Sequence, residues 1–150
     1  STNSIIRYQD RDQVSGQSST WTPFGTVARE TTTVDVSPSI KVTPSSAAQR
    51  LDTGSLWPGT GLRVPVASGG AVTVTVKVRT DGSYNGAAPR LVVRANPSVG
   101  YASDTVLDTH TASADTWETL SGTTSAAAAD GWLEFVVDGT GTAGSFYVDT

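Results

Sequence analysis

The chain of 150 residues has no cysteine, no methionine, one histidine and only two lysines, Lys41 and Lys77. Without cysteine there are no disulfides and no thiolate metal sites. With His110 as the sole imidazole, a zinc centre lacks nitrogen ligands. A Ser-His-Asp triad could draw only on that same histidine, and no Gly-x-Ser-x-Gly elbow accompanies it. His110 lies in the polar stretch Asp108-Thr109-His110-Thr111 and reads as an exposed loop residue. No phosphate loop or dinucleotide fingerprint is present. Ten basic and 14 acidic side chains give a net charge of −4, which argues against nucleic acid or an anionic membrane as partner. No apolar run approaches the roughly 18 residues of a membrane span. The first residues, Ser1-Thr2-Asn3-Ser4, are polar and carry no signal-peptide pattern, which leaves the compartment open.

A chain of this length fits one domain, spanning residues 1–150, with a core of its own. Its composition favours strands: 23 Thr, 18 Ser and 18 Val, with few strong helix formers. The clearest segment is Ala71–Thr80, where Val72, Val74, Val76 and Val78 alternate with Thr73, Thr75, Lys77 and Arg79. A period of two gives one dry face and one wet face, as in an antiparallel sheet. Further strands are expected at Ser4–Tyr8, Trp21–Ala28, Thr32–Val36, Ser39–Thr43, Gly61–Val66, Arg90–Ala95, Thr116–Ser121, Trp132–Asp138 and Ser145–Asp149. Turn signals separate them, among them Gly69-Gly70, Asp81-Gly82, Asn85-Gly86 and Asp138-Gly139. Only Ser125–Ala129 looks helical, and Asp10–Thr20 reads as a polar surface loop. About ten short strands at this spacing predict an all-β antiparallel fold, a two-sheet sandwich or a barrel.

Catalytic patterns are sparse. Asp52-Thr53-Gly54-Ser55 resembles an aspartic-protease loop, but Arg50-Leu51 replaces the apolar pair before the Asp, so a strand-ending turn is expected. The only glutamates are Glu30, Glu118 and Glu134, and nothing pairs them for glycoside hydrolysis. The expected function is therefore not enzymatic. Binding is better served: aromatic rings stack on sugar faces, and polar side chains bond the hydroxyls. Trp57, Tyr84 and Tyr101, each beside turn residues, are the candidates for contact with a glycan or a protein partner. Trp117 and Trp132 lie within strand-like segments and are expected to pack the core or neighbouring strands.

The order of Trp21-Thr22-Pro23, Ser39-Ile40-Lys41-Val42, Ala71–Arg79, Trp117-Glu118-Thr119-Leu120 and Phe146-Tyr147-Val148-Asp149 resembles jelly-roll domains of the carbohydrate-binding-module type. Tyr84–Leu91, Arg94–Pro97, Thr116–Thr123 and Asp138–Gly144 are similar to modules in structural proteins of tailed bacteriophages. This second resemblance implies a virion structural or interaction role, such as capsid decoration or a head or tail fibre module. Its partners would be other virion proteins and surface glycans. It also implies a homo-oligomer, a trimer for example, on a virion surface assembled in the host cytoplasm. The alternative is a carbohydrate-binding module of a secreted, extracellular protein. No cofactor is expected beyond a structural calcium that the first resemblance implies, tying Asp10 near the first strand to Asp149 in the last.

Overall fold

The computed structural model describes residues 2–4, 25–35, 39–44 and 62–149. Ten strands are present among them: β1 (Thr2–Ser4), β2 (Gly25–Glu30), β3 (Ser39–Pro44), β4 (Leu62–Val66), β5 (Thr73–Thr80), β6 (Arg90–Val93), β7 (Thr105–Thr109), β8 (Glu118–Thr123), β9 (Gly131–Asp138) and β10 (Phe146–Asp149). A single 3₁₀ turn, Pro97–Val99, is the only helical element described. The strands form two sheets. One has six strands, in the order β1-β5-β10-β3-β2 with β8 also on β5; the other is β4-β9-β6-β7. This is the antiparallel β-sandwich of jelly-roll type that the resemblance to carbohydrate-binding-module domains implies, and of the two architectures open to the strand pattern it is the sandwich. One pairing departs from it, since β1 runs parallel to β5.

β5 organises the larger sheet. It alternates half-buried and buried residues, and Val74, Val76, Val78 and Thr80 point inward. One of its edges carries β8 across residues 73–78. The other is shared end to end, by β1 at residues 73–75 and β10 at residues 77–80. The first and last described strands therefore lie in line. Ile40, Val42, Phe146 and Val148 extend the inner face, and Leu91, Val93, Leu133, Phe135 and Val137 meet them from the second sheet. Phe135 and Phe146 are fully buried, so truncating either to alanine costs about 3–5 kcal/mol.

Three segments differ from the sequence expectation. The described part of Thr32–Val36 bends instead of forming a strand, because the Glu30 carboxylate accepts the N–H groups of Thr31 (2.9 Å) and Thr32 (2.7 Å) and turns the chain after β2. Ser125–Ala129 is not helical. Ala127 exchanges backbone hydrogen bonds with Gly69 and Gly70 of a distant turn, so its peptide groups are spent outside the segment. Conversely, Thr105–Thr109 forms edge strand β7, which pairs with β6 through a bulge between Leu91 and Val92.

Candidate functional site

Strand parity defines a second face of the four-stranded sheet, on which Val92, Val136 and Asp138 are fully buried and the Trp132 end is open to solvent. Leu133, Phe135 and Val137 of β9 are buried inward, so Trp132, Glu134, Val136 and Asp138 share the opposite side. Cross-strand register adds neighbours. Pro65 and Arg63 of β4 sit opposite Trp132 and Glu134, while Val92 and Arg90 of β6 sit opposite Val136 and Asp138. The Arg94 N–H donates to Glu134 O at 2.8 Å, which carries the β6–β9 register on by one residue.

Trp132 is the feature of this face. It is 48% exposed, whereas most large apolar side chains described are buried; Val106 on β7, at 43%, is the other exposed one. Its backbone is held in place: Asn96 Nδ2 donates to Trp132 O at 2.7 Å. Asn96 is itself fixed by reciprocal N–H···O bonds with Tyr101 of 2.8 and 3.1 Å. A half-exposed indole on a rigid strand, with a carboxylate two residues along on the same face, can stack on one face of a sugar ring and accept its hydroxyl protons.

Further along the face lies a buried ion pair. Arg90 Nη2 is 2.7 Å from Asp138 Oδ2, and the Asp138 side chain is almost wholly shielded from water. Burial pushes the Asp138 carboxyl above the ordinary carboxylate range, although the Arg90 hydrogen bond and charge pull the other way.

The residues nominated from sequence are placed differently. Trp57 and Asp10 lie outside the described residues, as do Trp21 and the Asp52-Thr53-Gly54-Ser55 motif. Tyr84 packs edge-on against Phe146, with ring centroids 5.9 Å apart. Its hydroxyl donates to Ala87 O at 2.5 Å and accepts the Thr140 N–H at 3.2 Å. Tyr101 is 9% exposed, and its hydroxyl accepts the Ser125 N–H at 3.0 Å. Both tyrosines thus anchor their own loops, and Tyr101 reaches the Trp132 face only through Asn96. His110, expected in solvent, is 4% exposed instead. The strand β7 that precedes it closes against β8 and carries the imidazole inside. Trp132, expected to pack between strands, is the exposed ring. Its signal was in the sequence: it shares the parity of Glu134, opposite the apolar Leu133, Phe135 and Val137.

The described residues do not assemble a calcium site. Asp149 is buried, but its Oδ2 faces a donor, the Asp35 N–H, at 2.8 Å. The Asp35 carboxylate is paired with Lys77 Nζ at 2.6 Å. A calcium ion needs six to eight oxygens, and no group of three or more acids or histidines is gathered among the described residues.

No protein-family model matches the chain, and no curated protein matches it in sequence. Solved structures do match in fold. One holds the CBM22-1 and GH10 modules of an endo-1,4-β-D-xylanase from Clostridium thermocellum complexed with xylohexaose, at a TM-score of 0.56 and 16% identity. It aligns over 83% of this chain and 23% of the other. A tandem CBM22-1-CBM22-2 domain from Paenibacillus barcinonensis gives 0.54 and 16%, over 82% of this chain and 36% of the other. The present chain therefore spans well under two thirds of either. A family 16 carbohydrate-binding module gives 0.53 and 15% identity, over 85% of this chain and 84% of its own. At these identities the likeness is one of fold: the chain has the jelly-roll sandwich seen in carbohydrate-binding modules.

Proposed function

We propose that this domain binds a polysaccharide without cleaving it, using the exposed Trp132 end of the four-stranded sheet. The observation that carries the reading is Trp132, half exposed on a rigid central strand with Glu134 on the same side. Such a ring contributes affinity by covering the C–H face of a sugar, and loses little conformational entropy because its backbone is already fixed. The fold likeness supports the same class, since two of the similar structures are xylan-binding domains by description, at TM-scores of 0.51 and 0.50. A β-linked xylan-type chain is accordingly the first ligand to test. The virion role expected from sequence draws no support from these neighbours.

Affinity electrophoresis and calorimetry against soluble xylan and other soluble polysaccharides test the reading. The wild type should bind at least one of them with no release of reducing ends. Trp132→Ala should lose most of that binding while keeping its melting temperature. Absence of binding across the panel, or full affinity in Trp132→Ala, would sink the proposal.

A further inference from the structure

The Asn85-Gly86 pair reads as a turn signal in sequence, yet in the structure it joins two loops that lock together. Asn85 Oδ1 accepts the N–H groups of Thr142 (2.9 Å) and Ala143 (3.1 Å), and its Nδ2 donates to Thr142 Oγ1 at 3.0 Å. The Asn85 N–H donates to Ala143 O at 3.2 Å. Ala87 N–H donates to Thr140 Oγ1 at 2.9 Å. Gly86 cannot be replaced, because a Cβ there would stand 1.5 Å from Thr140 O. The fold therefore demands asparagine chemistry and glycine at adjacent positions.

That dipeptide is chemically labile. Glycine has no Cβ to shield its peptide nitrogen or restrict its backbone. In the unfolded chain the deprotonated Gly86 nitrogen can attack Asn85 Cγ. The N–Cγ bond forms, the Cγ–Nδ2 bond breaks, and ammonia leaves with the proton it takes from solvent. Water then opens the cyclic imide at either carbonyl, giving an aspartyl or an isoaspartyl linkage. No oxidant or cofactor is required.

We infer that Asn85 is a deamidation site that folding masks, and that the contact with Thr142 is the latch. Three hydrogen bonds aim the side-chain amide at the opposite loop, and the close approach of Gly86 to Thr140 O fixes the attacking nitrogen. Attack has to wait for local opening, so the rate is scaled by the open fraction. Once formed, an isoaspartyl linkage lengthens the backbone at residue 85 by one CH₂ and removes both the Nδ2 donor to Thr142 and the side-chain amide oxygen that accepts the Thr142 and Ala143 N–H groups, so the loops cannot latch as before.

The test is peptide mapping by mass spectrometry after warm incubation at mildly alkaline pH. Conversion at Asn85 should be at least about tenfold slower in the folded wild type than in the same chain held in urea, as expected for a step gated by opening. Thr142→Ala, which removes the Nδ2 acceptor, should convert faster than the folded wild type. Thr142→Ser, which keeps the hydroxyl, should restore the slow rate. Equal rates in folded and unfolded wild type overturn the inference. So does a folded Thr142→Ala that is no faster than wild type. Should Thr142→Ala fail to fold, the urea comparison and the serine variant still decide the matter.

Discussion

Glu118 Oε2 stands 3.7 Å from the buried Nε2 of His110 and is bonded on its other side by the chain that follows β7. The Glu118 carboxylate accepts the N–H groups of Thr111 (2.7 Å) and Ala112 (3.0 Å) and the Thr111 hydroxyl (2.9 Å). With Asp108 Oδ2 accepting the Ser121 N–H at 2.9 Å, it closes the side of the sandwich between β7 and β8.

This arrangement predicts a pH-dependent clasp. Burial alone would raise the Glu118 pKa, but the donors of Thr111 and Ala112 and the nearby His110 together hold it below its ordinary value. A lowered folded pKa means stability present above the unfolded value of about 4.3 and lost as pH falls through the folded one. Glu118→Gln should therefore cost about 1–3 kcal/mol at pH 7 in urea unfolding, with the deficit shrinking at pH 3. A deficit that stays constant across that range refutes the clasp.

The Arg90–Asp138 pair should behave in the opposite sense. Its raised folded pKa favours the neutral carboxyl in the native state, so the associated stability is present at low pH and lost as pH rises through the folded value. Arg90→Met leaves a buried carboxylate alone and should cost about 3–5 kcal/mol at pH 7. Asp138 Oδ1 already lacks a hydrogen-bond partner, so losing the Arg90 bond to Oδ2 deepens an existing deficit. Coupling Arg90→Met with Asp138→Leu should recover much of the loss, which a double-mutant cycle by chemical denaturation would measure.

Tyr84 provides a spectroscopic check on the loop pair. Burial first, then the negative charge of Asp138, pushes its hydroxyl from 10.0 up to about 12, against the opposing Thr140 N–H bond. The raised value implies stability that is lost as pH climbs through about 12. Ultraviolet titration should show a late phenolate component that is missing in Tyr84→Phe. That variant also forfeits the bonds to Ala87 and Thr140, at a cost of about 1–3 kcal/mol. A difference spectrum with no late component would contradict the placement of the hydroxyl.

The fold was legible wherever side chains alternate cleanly. Val74, Val76 and Val78 declare their inner face, and Leu133, Phe135 and Val137 do the same for β9. Edge strand β7 was not legible, because Val106 points outward and a bulge breaks the period beside it. The site was half legible. Parity alone puts Trp132 with Glu134, but a tryptophan among apolar neighbours suggests packing, and only the three-dimensional layers show which side is covered. Tyr84 and Tyr101 misled for a related reason. A ring beside a turn is as suited to holding that turn as to meeting a ligand, and hydroxyl partners such as Thr140 and Ser125 are distant in sequence.

Trp132 makes the proposed glycan contact directly observable. An indole that is 48% exposed contributes fluorescence open to aqueous quenchers, and a sugar ring stacked on it should shield that fraction. Titration with a bound xylan fragment should shift the emission to shorter wavelength and reduce acrylamide quenching, and both changes should vanish in Trp132→Phe. Glu134→Gln keeps the ring and removes the charge that orients the sugar hydroxyls, so it should retain the spectral shift at a lower affinity. Truncation to Trp132→Ala should cost about 2 kcal/mol of binding, about thirtyfold in Kd, as for a central aromatic anchor. Its effect on unfolding should stay within about 0.5 kcal/mol, because a surface ring contributes little to the core. A ligand that binds with Trp132 still fully quenchable would place the contact on another face of the domain.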